Sequence, residues 1–216
     1  MKKLVLITFL ISFTIPAQDI PDLHDGIALI SEYVSSDEFT KIKKNTSDLA
    51  QVDSIYSYAI RIYHNDYSEA MLALTFALVP YKEVPLKLPL FGISWDVPLP
   101  CAADSIYLPK NQNLPKKLFS DSPPGIYGDR DKLSHFFGNA FLSFNIRLFN
   151  FSEFIGIFIE LFEEAFKIEG ALDERDLIAN ELGKQFGEAL QNNIHIMPSE
   201  FFRKYDEFIQ LINEKE

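Results

Sequence analysis

Residues 131–145 read DKLSHFFGNAFLSFN, with an aspartate, a lysine and a histidine at the head of a segment otherwise suited to a hydrophobic core. A helix advances about 100° per residue, so positions three, four and seven apart share a face. On that period Asp131, His135, Gly138 and Leu142 fall in one stripe, with Asn139 beside it. Asp176, Asn180, Gly183 and Gly187 repeat the arrangement in DLIANELGKQFG, residues 176–187. Both stripes combine small residues with polar ones. Glycines four apart let two helix backbones approach closely. Polar groups in such a contact must be hydrogen-bonded, since an unpaired buried polar group costs about 1–3 kcal/mol. The two stripes are therefore expected to face each other across a helix–helix contact, which makes the core a helical bundle.

Between them, NFSEFIGIFIELFEEAFK (150–167) aligns Glu153, Glu160 and Glu164, with Glu163 at the margin. Asn150 and Glu153 form a capping-box pattern, and Gly170 is a natural stop. The apolar arc of this helix is wide, so one or more of its glutamates can complete the Asp/His/Asn cluster. Each residue also has a plainer reading. Asp131 suits the first turn of a helix dipole, Asp176 follows a capping Asp173 by three, and a glutamate row is commonly a solvated face.

Upstream, DLAQVDSIYSYAIRIYH (48–64) predicts a helix with Ile55, Ala59 and Ile62 on one face. Asp66 or Ser68 caps a second, SEAMLALTFALV, which is apolar all round and ends at Pro80. The segment from Pro80 to Pro124 holds most of the chain's twelve prolines. Short β-like runs at Leu86–Leu90 and Ile93–Val97 suggest a small hairpin, confined to an edge because proline cannot donate to a ladder. The last helix, PSEFFRKYDEFIQLINEKE, places Phe201, Tyr205, Phe208 and Ile212 on one face. The expected fold is mainly α: a bundle of about five to six helices with a proline-rich segment carrying a small β-hairpin.

The N-terminus MKKLVLITFLISFTIPAQ has the n-, h- and c-regions of a secretory signal peptide, with cleavage near Ala17. Its apolar run is shorter than the roughly 20 residues that span a bilayer. Residues 18–47 read as a polar N-terminal arm, and 48–216 as one helical domain: helices at 48–80, a proline-rich insertion at 81–125 and a helical core at 126–216. The chain carries a formal charge of −11 over 216 residues. Losing Lys2 and Lys3 with the leader leaves 18 bases against 31 acids, a formal −13. Such a balance argues against nucleic-acid binding, which requires a basic face. A lone cysteine, Cys101, excludes an intramolecular disulfide. Export to the periplasm or cell envelope is the expected localisation.

The paired stripes carry a family resemblance. DKLSHFFGNAFLSF resembles the D-K-x-x-H-F opening of VanZ-like proteins and of the small exported YfiM-like proteins. The stretch IELFEEAFKIEGALDERDLIANELGKQFG resembles their second signature, an acid on a helix, a short loop, then D-x-x-x-N-x-x-G-x-x-x-G. The resemblance covers residues 129–190. It matches Asp131, Lys132 and His135 to the first motif and Glu160 to the helix acid. Glu163 or Glu164 takes a position often held by glutamine, and Asp176, Asn180, Gly183 and Gly187 match the last motif. VanZ-like proteins are multispanning membrane proteins linked to glycopeptide resistance. This chain has no comparable apolar stretches after its leader and is closer in format to the YfiM-like group. The resemblance implies a shared site and names no reaction.

Two functions follow as expectations. One is a non-catalytic envelope protein, structural or binding, with an envelope protein or a lipid as partner; Lys132, Glu164, Asn180, Gly183 and Gly187 would then support the site. The other is an envelope hydrolase or transferase with Asp131, His135, Glu160 and Asp176 as catalytic groups. One histidine among carboxylates is compatible with a hard divalent metal such as Mg, Ca or Mn. No cofactor is otherwise indicated: H-E-x-x-H, G-x-S-x-G and P-loop signatures are absent from the sequence.

Overall fold

The computed structural model describes residues 20–87, 94–125, 128–145 and 174–214. The leader, the Glu153–Glu164 row with its Asn150 cap, Gly170 and Asp173 lie outside these residues. The chain is mainly α, as its periodicities imply. The described residues form eight helices: α1 Leu23–Ser35, α2 Asp37–Asn45, α3 Asp48–Ile62, α4 Tyr67–Ala77, α5 Asp104–Asn113, α6 Lys132–Asn145, α7 Glu174–Leu190 and α8 Pro198–Asn213.

Side-chain caps set where the first four helices begin. The Asp22 carboxylate accepts from Asp25 N–H at 2.9 Å, Ser36 Oγ from Phe39 N–H at 3.1 Å, Ser47 Oγ from Ala50 N–H at 3.3 Å, and Asp66 from Glu69 N–H at 3.1 Å. Each satisfies one of the orphan donors at a helix start. The polar stretch read as an N-terminal arm is thus two helices of the main core. Ile27, Ile30 and Val34 of α1 and Phe39 of α2 are fully buried. The three-to-four-residue spacing of Ile27, Ile30 and Val34 is an apolar stripe inside a stretch whose average composition is polar.

α6 is the centre of the assembly. Its largest interface is with α7, and its second is with α4. α1 packs on α4 and α5, while α3 joins α1 and α4 to α8. Phe136, Phe137, Phe186 and Phe202 meet at the heart, with Phe136 and Phe202 ring centroids 4.9 Å apart. As expected of a helix apolar all round, α4 buries Ala70, Met71, Ala73, Leu74, Thr75 and Ala77. On α8 the face holds only in part: Phe201, Phe202 and Tyr205 pack inward, but Phe208 is 59% exposed. The start of α8 is tied down from far away in sequence, since Ser199 N–H and Oγ both donate to Asp53 of α3, at 2.9 and 2.6 Å.

The proline-rich segment is more ordered than its composition suggests. Two short strands, β1 Glu83–Lys87 and β2 Ser94–Pro98, pair antiparallel with Glu83 opposite Pro98 and Lys87 opposite Ser94. It also contains α5, a helix with Pro109 inside it, where a loop was expected. α5 is held by the end of α4. Lys110 Nζ donates to Ala77 O at 3.0 Å and Val79 O at 2.7 Å, while Tyr107 Oη and Asn111 Nδ2 donate to Pro80 O at 2.6 and 3.0 Å. These bonds satisfy carbonyls that a helix end leaves without intrahelical partners, and Lys110 sits at the favourable end of the dipole.

Burial lowers the Lys110 ammonium to about 7 from its ordinary 10.5. The unfolded chain therefore binds a proton that the folded chain lacks between those values, and stability should rise with pH across that window. Urea midpoints at pH 7 and pH 9.5 should show this gain in the native sequence, and Lys110→Met should lose most of it.

Candidate functional site

The α6–α7 contact is made by missing atoms. A Cβ on Gly183 would lie 2.1 Å from Phe136 O, and one on Gly187 would lie 2.3 Å from Ala140 O and 2.2 Å from Ser143 Oγ. Only glycine allows the α6 backbone so near. The sequence stripe of small residues on α7 is therefore the packing surface. Ser143 strengthens the seam by donating from Oγ to Lys184 O at 3.0 Å, and Gln191 Nε2 donates to Ser143 O and Phe144 O at 3.0 and 2.8 Å.

The polar halves of both stripes converge at the head of this seam, as their spacing implied. Lys132 Nζ lies 2.9 Å from Asp131 Oδ2 and 2.7 Å from Asp176 Oδ1. His135 Nε2 is 3.3 Å from the same Asp176 oxygen. On its other side His135 Nδ1 is 3.1 Å from Asn180 Oδ1, which also accepts from Asn139 Nδ2 at 2.7 Å. Asn139 Nδ2 donates in addition to His135 O at 3.0 Å. Since Asn180 Oδ1 is an acceptor, it places a proton on Nδ1 of His135. In the neutral ring, Nε2 then turns its lone pair toward Asp176 Oδ1.

Burial dominates the electrostatics. His135 is 3% exposed and Lys132 is 4% exposed. Desolvation pushes His135 below its ordinary range, outweighing the opposing pull of Asp176 and the Asn180 hydrogen bond. For Lys132 burial also disfavours the charge, but hydrogen bonds to Asp131 and Asp176 outweigh it and raise the ammonium above lysine's usual range. The resting junction thus holds a cationic lysine between two acids, beside a neutral imidazole.

A second clasp lies next to the first. Arg175 Nε is 3.2 Å from Asp129 Oδ1, and Asp129 is fully buried. The Asp129 carboxylate also accepts from Ser122 Oγ and from Leu118 N–H, the latter at 3.4 Å. Asp129 therefore contributes its side chain to this clasp, and only its backbone carbonyl receives Lys132 N–H at 3.1 Å. Consecutive residues Arg175 and Asp176 reach to opposite partners at the start of α6. This clasp and Ser143 escape a reading by stripes, since neither falls on the Asp131/His135/Gly138 line.

Of the expected site residues, Asp131, Lys132, His135, Asp176, Asn180, Gly183 and Gly187 come together in this one seam. Glu160 and Glu164 lie outside the described residues. Asp131, His135 and Asp176 can each turn one donor atom to a common point, all within 4.8 Å of one another. Such a set can hold a proton or a divalent cation. No protein-family model matches the chain, and no curated protein or solved structure matches it significantly.

Two outcomes are expected. Gly183→Ala forces Phe136 O to retreat and should cost about 1–3 kcal/mol by urea denaturation, whereas the exposed Glu181→Ala should stay within about 0.5 kcal/mol. Because His135 titrates lower folded than unfolded, acid should erode stability once pH falls through the unfolded value near 6.5. Between pH 7.5 and 5.5, His135→Gln should lose less stability than the native sequence.

Proposed function

We propose that this chain is an exported cell-envelope protein, a structural or binding protein akin to the VanZ-like and YfiM-like groups, in which the Asp131/Lys132/His135/Asp176/Asn180 junction fixes the register of α6 on α7. The observation that carries this reading is the internal cation. Lys132 Nζ already bridges the two carboxylates at 2.7 and 2.9 Å, so the cluster carries part of its own counter-charge. A buried ionic group is poor as a source of stability but good at specifying one arrangement, because any slip leaves an uncompensated charge. The leader directs export with cleavage near Ala17, and the partner is an envelope protein or a lipid. No helix among the described residues is long and apolar enough to cross a membrane.

One observation favours a second reading, a metal- or acid–base-dependent hydrolase or transferase. The donor atoms of Asp131, His135 and Asp176 converge within 4.8 Å, and Asn180 orients the imidazole as outer partners of catalytic or metal-binding histidines do. A divalent ion at that point competes with the Lys132 ammonium, which is why the register reading stands first.

Elemental analysis of the purified mature chain separates them. The register reading expects no stoichiometric Mg, Ca, Mn or Zn, and no change of Tm with EDTA. About one metal per chain in the native sequence, lost in His135→Ala, would establish the second reading instead.

A further inference from the structure

We propose that the β1–β2 hairpin is a lipid-contacting surface, which lays one apolar face on a bilayer at the level of the headgroups. The antiparallel register sets Val84 opposite Val97 and Leu86 opposite Trp95, and between them Pro85 opposite Asp96. Directly paired residues share a face, and the face alternates along each strand. Val84, Leu86, Trp95 and Val97 therefore occupy one side of the ribbon. The charged residues of the strands, Glu83, Lys87 and Asp96, fall on the other.

Among the described residues the fold supplies no cover for the apolar side. None of the described helices has more than a marginal contact with either strand. The ribbon is held at its base instead. Leu99 N–H donates to Lys82 O at 2.7 Å, and Lys82 pairs with Asp104 at the start of α5. A two-stranded hairpin is marginal in water unless it packs on a helix or a further strand.

The sequence around the face selects its occupant. Proline falls in both strands, at Pro85 and Pro98, and blunts their edges against a further strand. That disfavours strand addition by a second copy and leaves the face as the contact. The residues joining the strands, 88–93, read LPLFGI and carry no charged or polar side chain, whereas connections that run in water are ordinarily polar. Lys87 and Trp95 flank that stretch in sequence. Bilayer interfaces favour both types, because each joins an apolar body to a polar tip. Strands of five residues are too short to span hydrocarbon, and their open edges have no partner in it, so the ribbon stays at the interface. A formal charge of −11 gives no attraction to anionic headgroups, so apolar burial drives the contact. Of the partners named for the envelope reading this selects the lipid, and it is independent of how the polar junction is used.

Trp95 is the single tryptophan of the chain, so its fluorescence reports on this face alone. Titrating the mature chain with phosphatidylcholine vesicles should shift the emission to the blue and saturate. The chain should float with the vesicles, and high salt should change neither result. Leu86→Ser and Val97→Ser should each weaken partitioning about fivefold or more, the scale of one aliphatic side chain withdrawn from a buried face. Their Tm should match the native value, and Glu83→Gln, on the opposite side, should bind no more weakly than the native sequence. No shift and no flotation would overturn the proposal, as would partitioning that persists in both apolar variants. Emission already blue and unmoved by vesicles, or a lowered Tm in Leu86→Ser, would overturn it by showing that the chain covers this face itself. A blue shift that grows with protein concentration and doubles the mass in light scattering, without vesicles, would assign the face to a second copy instead. Binding confined to anionic vesicles and lost in salt would also overturn it, since the contact would then be electrostatic.

Discussion

The fold depends on how near the α6 and α7 backbones come. Gly183 sits against Phe136 O, and Gly187 sits against Ala140 O. This separation lets short side chains such as Asn139, Asn180 and Ser143 bridge the helices directly. It also presses Phe136 and Phe186 into one aromatic cluster with Phe202, so the third helix docks on a surface that the first two create. One additional methyl group in the seam would move all of these at once, because interiors are packed to the density of organic crystals.

Charge is arranged around that seam economically. Arg175 and Asp176 are adjacent in sequence and point to partners of opposite sign, Asp129 and Lys132, at the beginning of α6. A rotation or one-turn slide of α7 would bring Arg175 toward Lys132 or Asp176 toward Asp129. The apolar contacts bury most of the interface, while the paired charges meet at its head. Removing one partner of a buried charge pair leaves an uncompensated charge, which is costly.

The sequence makes part of this visible and hides part for physical reasons. The helical period alone brings Asp131 and His135 to one face and Asp176, Asn180, Gly183 and Gly187 to another, and polar satisfaction then requires the faces to meet. Ser143 belongs to the same seam but resembles any helical serine, and the Arg175–Asp129 pair exists only through tertiary contact. α1 and α2 are masked by charge: Glu32, Asp37, Glu38, Lys41 and Lys43 outweigh four core residues in any average. α5 is masked by Pro109, which reads as a helix breaker when the α4 carbonyls that hold the helix are not in view. Phe208 shows the converse limit: the amphipathic pattern continues along α8, yet this ring is 59% exposed.

The Asp53–Ser199 bond has a consequence for the order of assembly. At the start of α8 the local acceptor Glu200 takes Met197 N–H, and Asp53, 146 positions before Ser199, takes Ser199 N–H as well, whereas α1 to α4 are capped by local side chains alone. A local cap forms as soon as a turn forms, but a contact from afar must wait until loop closure brings its acceptor near. The first half of the chain can therefore gain structure as it emerges during synthesis. The bond from Asp53 reaches Ser199 only once α3 is in place, so this part of the α8 start is completed by tertiary contact.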